Sequence, residues 1–190
     1  MNEGPRKLVA ADIPDTARLA IRSVREADLA ALLDVNDNAE VNHFLPYARW
    51  QGMADANAWF QRMQALQATG TAIQYVIIGH AQARAIGSVL LFHFDAGSAR
   101  AELGYVLGRQ YWGQGFMREA LTAVIDSAFG PLRLRRLEAE VNPDNQASVR
   151  LLRSVGFRCE GLLRERWVTN GVAHDVELHG LLGRDWRNRD

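Results

Sequence analysis

The feature that most constrains this chain is the segment Ala101–Ala120, in which an apolar strand pattern passes through a glycine-rich turn into a helix pattern. The turn reads QYWGQG from Gln110 to Gly115, and the helix pattern begins at Phe116. Glycines let a backbone approach a ligand closely, and the first N–H groups of a helix have no partners within it. Because the helix dipole also favours negative charge there, this strand–turn–helix unit predicts a site for phosphate groups.

Hydrophobic periodicity predicts further strands and helices on both sides of this unit. The predicted strands are Arg18–Val24, Thr71–Ile78, Ala85–Phe94, Ala99–Leu107, Leu134–Val141, Arg166–Thr169 and His174–Leu182. The predicted helices are Arg25–Val35, Ala54–Ala68, Phe116–Phe129 and Asn145–Val155. The last two strands flank Asn170-Gly171, which is a strong hairpin signal. The order of elements is typical of a mixed sheet with helices on its faces, an α/β fold of the mixed α+β kind.

Length and composition favour one domain in a reducing compartment. A chain of 190 residues with 48% hydrophobic residues can bury one substantial core. Lys and Arg together number 22, as do Asp and Glu, which argues against nucleic acid as the main partner. The single cysteine, Cys159, excludes an intramolecular disulfide and is expected to be a buried structural thiol. We expect a polar extension (1–15), a domain (16–190), no membrane span and a cytoplasmic location.

Two motifs stand about thirty residues apart and each falls where a strand pattern leads into a helix pattern. They read Gln110-x-x-Gly113-x-Gly115 and Asn142-Pro143-x-Asn145-x-x-Ser148, the second followed by Gly156-Phe157. Together they resemble motifs of the GNAT family of N-acetyltransferases, and in particular its ribosomal-protein-alanine N-acetyltransferase (RimJ/RimL-like) branch. The resemblance covers roughly residues 16–186.

The resemblance implies a single GNAT-like domain with a central, mostly antiparallel sheet of six to seven strands, a splayed parallel pair, and helices on both faces. It implies acetyl-CoA as co-substrate, an amine as acceptor, and no metal. It also implies that acetyl-CoA is contacted by Tyr105, Val106, Leu107, Gln110, Gly113, Gln114, Gly115, Phe116, Asn145 and Ser148. A backbone N–H near Val106 would polarise the thioester carbonyl.

Ser148 and Asn145 each have two interpretations. Ser148 is at helical spacing with Leu151 and Leu152, so its hydroxyl is expected on an otherwise buried face, where it needs a partner. The resemblance makes that partner the cofactor sulfur, with Ser148 as proton donor or stabiliser; a bond to its own helix backbone is the alternative. Asn145 is expected to contact the pantetheine arm or a water, to cap its helix, or both.

Glu102 is the candidate catalytic base. Strand alternation puts it on one face with Gly104, which leaves room for an acceptor above that face. It could act directly or through water with a pKa raised by partial burial; a solvated carboxylate is the alternative. Some members of the resembled branch carry a catalytic Glu at the position of Trp167. The base therefore stays open between Glu102 and an ordered water.

The remaining sequence signals concern the acceptor. His43 and Tyr47 fall in the segment that forms the acceptor-site wall in the resembled branch, whereas the five histidines show no metal-ligand spacing. The expected activity is acetyl transfer to the N-terminal α-amine of a protein such as a ribosomal protein, by a monomer or homodimer. There are two alternatives: a small-molecule amine as acceptor, or a non-catalytic acyl-CoA sensor of the same fold.

Overall fold

Seven strands form one sheet in the computed structural model, which describes residues 7–169 and 171–188. The strands are β1 (Leu19–Ser23), β2 (Ile73–Gly79), β3 (Arg84–Asp95), β4 (Arg100–Leu107), β5 (Arg136–Val141), β6 (Arg158–Thr169) and β7 (Val172–Leu182). Their spatial order is β1-β2-β3-β4-β5-β7-β6. All neighbouring pairs are antiparallel except β4 and β5. The predicted mostly antiparallel sheet with one parallel pair is confirmed.

Helices cover both faces of the sheet, as predicted. They are α1 (Leu29–Asn36), α2 (Ala39–Asn42), α3 (Met53–Thr69), α4 (Phe116–Phe129), α5 (Gln146–Ser154) and α6 (Gly183–Arg187). Alternation along β2 shows the two faces, because Tyr75 and Ile77 pack in one core cluster with α4 and α5. Val76, between them, packs in a second cluster with α1 and α3. Each face of the sheet is therefore a separate apolar layer.

The parallel strands β4 and β5 are paired over only three residues. Arg100, Ala101 and Glu102 lie opposite Arg136, Leu137 and Glu138, and no further pairing is formed. Beyond Glu102 the two strands diverge, so the main chain from Leu103 to Leu107 pairs with β3 on one side only. The splay opens the sheet at the end of β4 that leads into the glycine-rich turn.

The last hairpin differs most from the sequence prediction. β6 begins at Arg158, eight residues before the predicted strand, and pairs with β7 along its length. It is an edge strand with mostly exposed side chains, so hydrophobic alternation does not mark it. For the same reason Cys159 is exposed, and the prediction of a buried thiol is wrong. Asn170 of the predicted turn lies outside the described residues, while Gly171 has a φ of 76°.

Two apolar residues near the start of the chain pack into the core. Leu8 and Ile13 are buried in the core cluster that contains α4, and the Leu8 amide donates to the Gly70 carbonyl. The division into an extension (1–15) and a domain (16–190) stays a prediction. Among residues 7–169 and 171–188, no helix has the length and apolar character needed to cross a bilayer.

Candidate active site

A cavity of about 1100 Å³ fills the splay between β4 and β5. Its walls come from β4, β5, the first turn of α4, α5 and the segment that follows α1. Of the predicted site residues, those that line it are Glu102, Tyr105, Val106, Leu107, Gly113, Gly115, Phe116, Asn145 and Ser148. Gln110 and Gln114 are the two that do not. The cavity is at the upper end of the size range of small-molecule sites, which suits an extended ligand together with a second substrate.

The glycine-rich turn opens directly into the cavity. Gly113 and Gly115 have φ values of 71° and 79°, a left-handed conformation that favours glycine over residues with a Cβ. Gly115 is the N-cap of α4, and no side chain caps the helix. The first amides of α4, beginning at Phe116, therefore have no partners within the helix and are available to an anion.

Arg18, which the sequence analysis did not single out, braces this turn. Its guanidinium donates to the Gln114 carbonyl at 2.9 Å, pairs with Glu119 at 2.6 Å, and stacks over the Phe116 ring at 4.3 Å from the centroid. The arrangement fixes the guanidinium of this ion pair beside Gly115, where a Cβ would lie 3.4 Å from it. Arg18 immediately precedes β1, and no local pattern marks this role, because the contacts join residues about a hundred positions apart.

Gln110 and Gln114 are bonded to each other within the turn. The Gln114 side-chain amide donates to the Gln110 carbonyl at 2.7 Å. Nearby, the Trp112 indole donates to the Leu107 carbonyl at 2.8 Å, and the Arg109 guanidinium stacks on the Trp112 ring. These contacts fix the turn relative to the end of β4.

Two hydroxyl groups meet where β4 faces α5. Tyr105 Oη lies 2.6 Å from Ser148 Oγ, and both residues line the cavity. Burial raises the pKa of the Tyr105 phenol, partly offset by its bond to Ser148, so the phenol stays protonated at neutral pH. Ser148 is thus bonded to Tyr105, and the alternative of a bond to its own helix backbone is not what the structure shows.

Asn145 is the N-cap of α5. Its side-chain oxygen accepts from the Ser148 amide at 3.2 Å. This cap fixes the first turn of α5, on which Ser148 faces Tyr105. Because Asn145 also lines the cavity, the capping role leaves it accessible to a ligand.

Glu102 lies on the opposite face of β4 from Tyr105, with its carboxylate largely buried. Its Oε2 lies 2.8 Å from Nδ1 of His93, which is on a β-bulge of β3 at a φ of 48°. Burial raises the Glu102 pKa; the His93 hydrogen bond opposes this, and the charge of Glu140 adds to it. A carboxyl group with a raised pKa in a cleft is suited to accept a proton.

The wall above Glu102 comes from the segment after α1. His43 and Tyr47 both line the cavity, and the Tyr47 hydroxyl lies 3.1 Å from Asn36 Oδ1. Below them, Val106 packs with Val35 and Val41. The two sides of β4 thus contribute different groups to the one cavity, the Tyr105–Ser148 hydroxyl pair from one side and the Glu102 carboxylate from the other.

Glu140 is a second carboxylate in the cavity that the sequence analysis missed. It accepts from the Trp167 indole at 2.9 Å and from the Arg166 guanidinium at 2.9 Å. Alternation along β5 could have found it, since Leu137, Ala139 and Val141 are buried in the core and Glu140 lies between them.

Comparison with known proteins agrees with this geometry. The family model for the acetyltransferase (GNAT) domain matches residues 18–158. The chain is 34% identical over 171 residues to the uncharacterized N-acetyltransferase p20 of Bacillus licheniformis, covering 90% of this chain and 96% of the relative. It is 30% identical over 180 residues to the [ribosomal protein uS5]-alanine N-acetyltransferase of Escherichia coli (strain K12), covering 90% and 91%.

Solved structures show the same fold. The ribosomal-protein α-N-acetyltransferase RimL in complex with coenzyme A superposes with a TM-score of 0.82 at 25% identity, over 90% of this chain and 97% of that one. Spermidine N-acetyltransferase from Vibrio cholerae in complex with CoA and spermine gives a TM-score of 0.80 at 21% identity, over 91% and 100%. From the match to the family model and to these relatives, this chain belongs to the GNAT family and is an N-acetyltransferase.

Proposed function

We propose that this protein transfers the acetyl group of acetyl-CoA to a primary amine by direct attack in a ternary complex, with the N-terminal α-amine of a protein, such as a ribosomal protein, as acceptor. The observation that carries the proposal is the convergence, in one cavity between splayed strands, of an uncapped helix N-terminus, a hydroxyl pair and a buried carboxylate. These are the groups that acetyl transfer from a phosphate-bearing thioester requires.

The pyrophosphate end of acetyl-CoA fits the turn between β4 and α4. The amides around Gly113, Gly115 and Phe116 are positioned to donate to the pyrophosphate, and the Arg18 guanidinium, which is paired with Glu119, lies beside them. The left-handed φ values at the glycines support this role, because a Cβ there would be strained and would stand between the backbone and an anion.

The extended arm of acetyl-CoA fits the open edge of β4. From Leu103 to Leu107 this strand pairs with β3 alone, so its other edge can pair with the amides and carbonyls of a pantetheine arm. Asn145 is positioned to contact the same arm from α5. A backbone N–H near Val106 on this open edge is then the donor that polarises the thioester carbonyl.

Proton transfers fall to groups on the two sides of β4. Glu102 takes the proton that the acceptor ammonium must lose, directly or through a water. The freed amine nitrogen forms a bond to the thioester carbonyl carbon, and the carbon–sulfur bond breaks. The nitrogen loses its second proton to solvent, and solvent returns a proton to Ser148 for the one passed to the thiolate. Ser148 donates a proton or a hydrogen bond to the leaving thiolate and is itself supported by Tyr105, whose phenol stays protonated.

Two kinds of acceptor are supported by different observations. The uS5-alanine N-acetyltransferase is similar over 90% of this chain, which supports a protein N-terminus. Glu102 and Glu140 on one side of the cleft support a cationic small amine equally well, as does the fold shared with a spermidine acetyltransferase. We place the protein N-terminus first because the uS5 enzyme is the relative with the higher sequence identity.

The test incubates the purified protein with acetyl-CoA and each of three acceptors: an alanine-starting peptide, the same peptide with a blocked N-terminus, and spermidine. Free CoA thiol and product mass are measured. Acetylation of the open peptide but not the blocked one supports the proposal. Spermidine turnover alone would move the protein to the small-amine alternative. Binding of acetyl-CoA with no acceptor turned over would leave only the sensor alternative.

We further propose a cytoplasmic protein that acts as a monomer or homodimer. A chain whose only cysteine is the exposed Cys159 is suited to a reducing compartment. Light scattering on the purified protein distinguishes the two oligomeric states.

A further inference from the structure

Glu140 combines burial with access to the cleft. Its side chain is only 8% exposed, yet it lines the cavity on the part of β5 that has already diverged from β4. Glu102 lines the same cavity from β4, and the charge of Glu140 acts on Glu102. Two carboxylates on diverging strands therefore share one compartment.

The orientation of Glu140 is fixed by a local irregularity of β6. Consecutive strand residues normally point to opposite faces, but Arg166 and Trp167 both donate to the Glu140 carboxylate. A register shift between Leu163 and Trp167 makes this possible, and the amide of Glu165, at a φ of 50°, is held by the Asp175 carboxylate at 2.8 Å. The bulge thus brings a charged donor and a neutral donor onto one carboxylate.

Glu138 provides an internal comparison. It lies two residues before Glu140 on the same face of β5, but it is paired with two guanidinium groups, those of Arg100 and Arg136. It does not line the cavity. Glu140 has one guanidinium partner, on the half-exposed Arg166, and its second donor is the uncharged indole of Trp167. Its negative charge is therefore the less compensated of the two and is the one that faces the cleft.

We infer that Glu140, oriented by Trp167, is an acceptor-binding residue that holds the ammonium group of a cationic acceptor beside Glu102. The inference rests on the proposed function and specifies the acceptor as an amine that arrives protonated. An ammonium group has three N–H donors and can therefore bond to both carboxylates at once. Glu102 then takes its proton, while Glu140, held by two donors of its own, stays a hydrogen-bond acceptor.

The test compares Glu140→Gln with the matched control Glu138→Gln. A glutamine at position 140 keeps the shape and can still accept from the indole, but it removes the negative charge. In steady-state assays with the alanine-starting peptide or spermidine, whichever is turned over, we expect Glu140→Gln to raise the acceptor KM roughly 10- to 100-fold. The KM for acetyl-CoA and the melting temperature should stay as in the wild type, and Glu138→Gln should leave the acceptor KM unchanged. Trp167→Phe, which removes the indole donor and keeps a smaller aromatic ring, should give a smaller increase.

A binding measurement keeps the inference testable where no turnover is found. The same peptide, with a free or a blocked N-terminus, is titrated calorimetrically into CoA-saturated protein. We expect the wild type to bind the free peptide at least tenfold more tightly than the blocked one, and Glu140→Gln to abolish that difference. Equal wild-type affinity for the two peptides, or equal effects of Glu140→Gln and Glu138→Gln, would overturn the role of Glu140. Absence of turnover with intact discrimination would overturn the proposed activity alone.

Discussion

The hydroxyl of Tyr105 lies 2.6 Å from the hydroxyl of Ser148, which joins β4 to the first turn of α5 beside the cavity. The two residues stand 43 positions apart, and each lies on an element that also carries a proposed contact to acetyl-CoA. Because the pKa of the phenol is raised by burial, the pair remains a neutral chain of two hydroxyls at physiological pH.

The hydroxyl pair should act as a unit in catalysis. Ser148→Ala is expected to lower kcat about 10- to 100-fold while leaving the acceptor KM nearly unchanged, as for a contact made in the transition state. Tyr105→Phe should give a smaller loss, because it removes only the group that supports Ser148. The double variant should lose no more than Ser148→Ala does, and additive losses in kcat would show that the two hydroxyls act separately.

Acetyl-CoA should stabilise the free protein against heat, and Gly115→Glu should abolish that stabilisation. A carboxylate at position 115 would compete with phosphate for the Arg18 guanidinium and for the N-terminus of α4. Gly171→Glu is the matched control, because Gly171 has a similar φ of 76° and open space around it. Unchanged acetyl-CoA affinity in folded Gly115→Glu protein would refute the assignment of the phosphate site.

Glu102→Gln should lower the rate about 100-fold in the pH range above the Glu102 pKa and below that of the acceptor amine. In this range the carboxylate is ionised and the amine still needs to lose a proton. At higher pH the loss should shrink, because solution then supplies the free amine. The measurement is a pH–rate profile of both proteins. A loss of the same size at every pH would mean that Glu102 positions the acceptor and is not its base.

His93→Asn should move the acidic limb of the pH–rate profile to higher pH. The His93 hydrogen bond lowers the Glu102 pKa against the effects of burial, Glu140 and Glu138, so its loss should raise that pKa further. Asparagine is chosen because it tolerates the positive φ of position 93. His80→Asn, at a surface histidine outside the cavity lining, is the control and should leave the profile in place.

Asp28 should make stability depend on acidic pH. Burial raises its pKa, but hydrogen bonds from the Arg22 guanidinium and the Arg25 amide outweigh burial, so the folded-state pKa is lowered. The stabilisation is therefore present at neutral pH and is lost as pH falls through that lowered pKa. Asp28→Asn should cost about 2–3 kcal/mol in free energy of unfolding at neutral pH, since it leaves the Arg22 charge unpaired. Urea denaturation at neutral pH and near pH 3 measures it; an equal cost at both would contradict the linkage.

Local patterns were sufficient for most of the fold. The apolar spacing of α4 and the glycines before it predicted that helix from Phe116 to Phe129, which the structure confirms. Strands buried on both faces, such as β2, have largely apolar sequences, which also predicted their positions. The predicted β6 is eight residues too short at its start. Its side chains are mostly exposed on both faces, so apolar and polar residues need not alternate along it. The four-residue α2 was missed, since so short a helix has no periodicity to detect.

The sequence by itself determined the glycine-rich turn, the helix that follows it, and the residue types of the proposed site, because these depend on spacings of a few residues. Only the tertiary structure decided which groups meet. Ser148 bonds to Tyr105 instead of its own helix. Glu102 is hydrogen-bonded to His93, which lies on a bulge at positive φ, and Glu140 accepts from Trp167 of the irregular last hairpin. Such contacts depend on strand register, on bulges and on the splay of β4 from β5. Those features arise from packing over the whole sheet, so no local pattern encodes them.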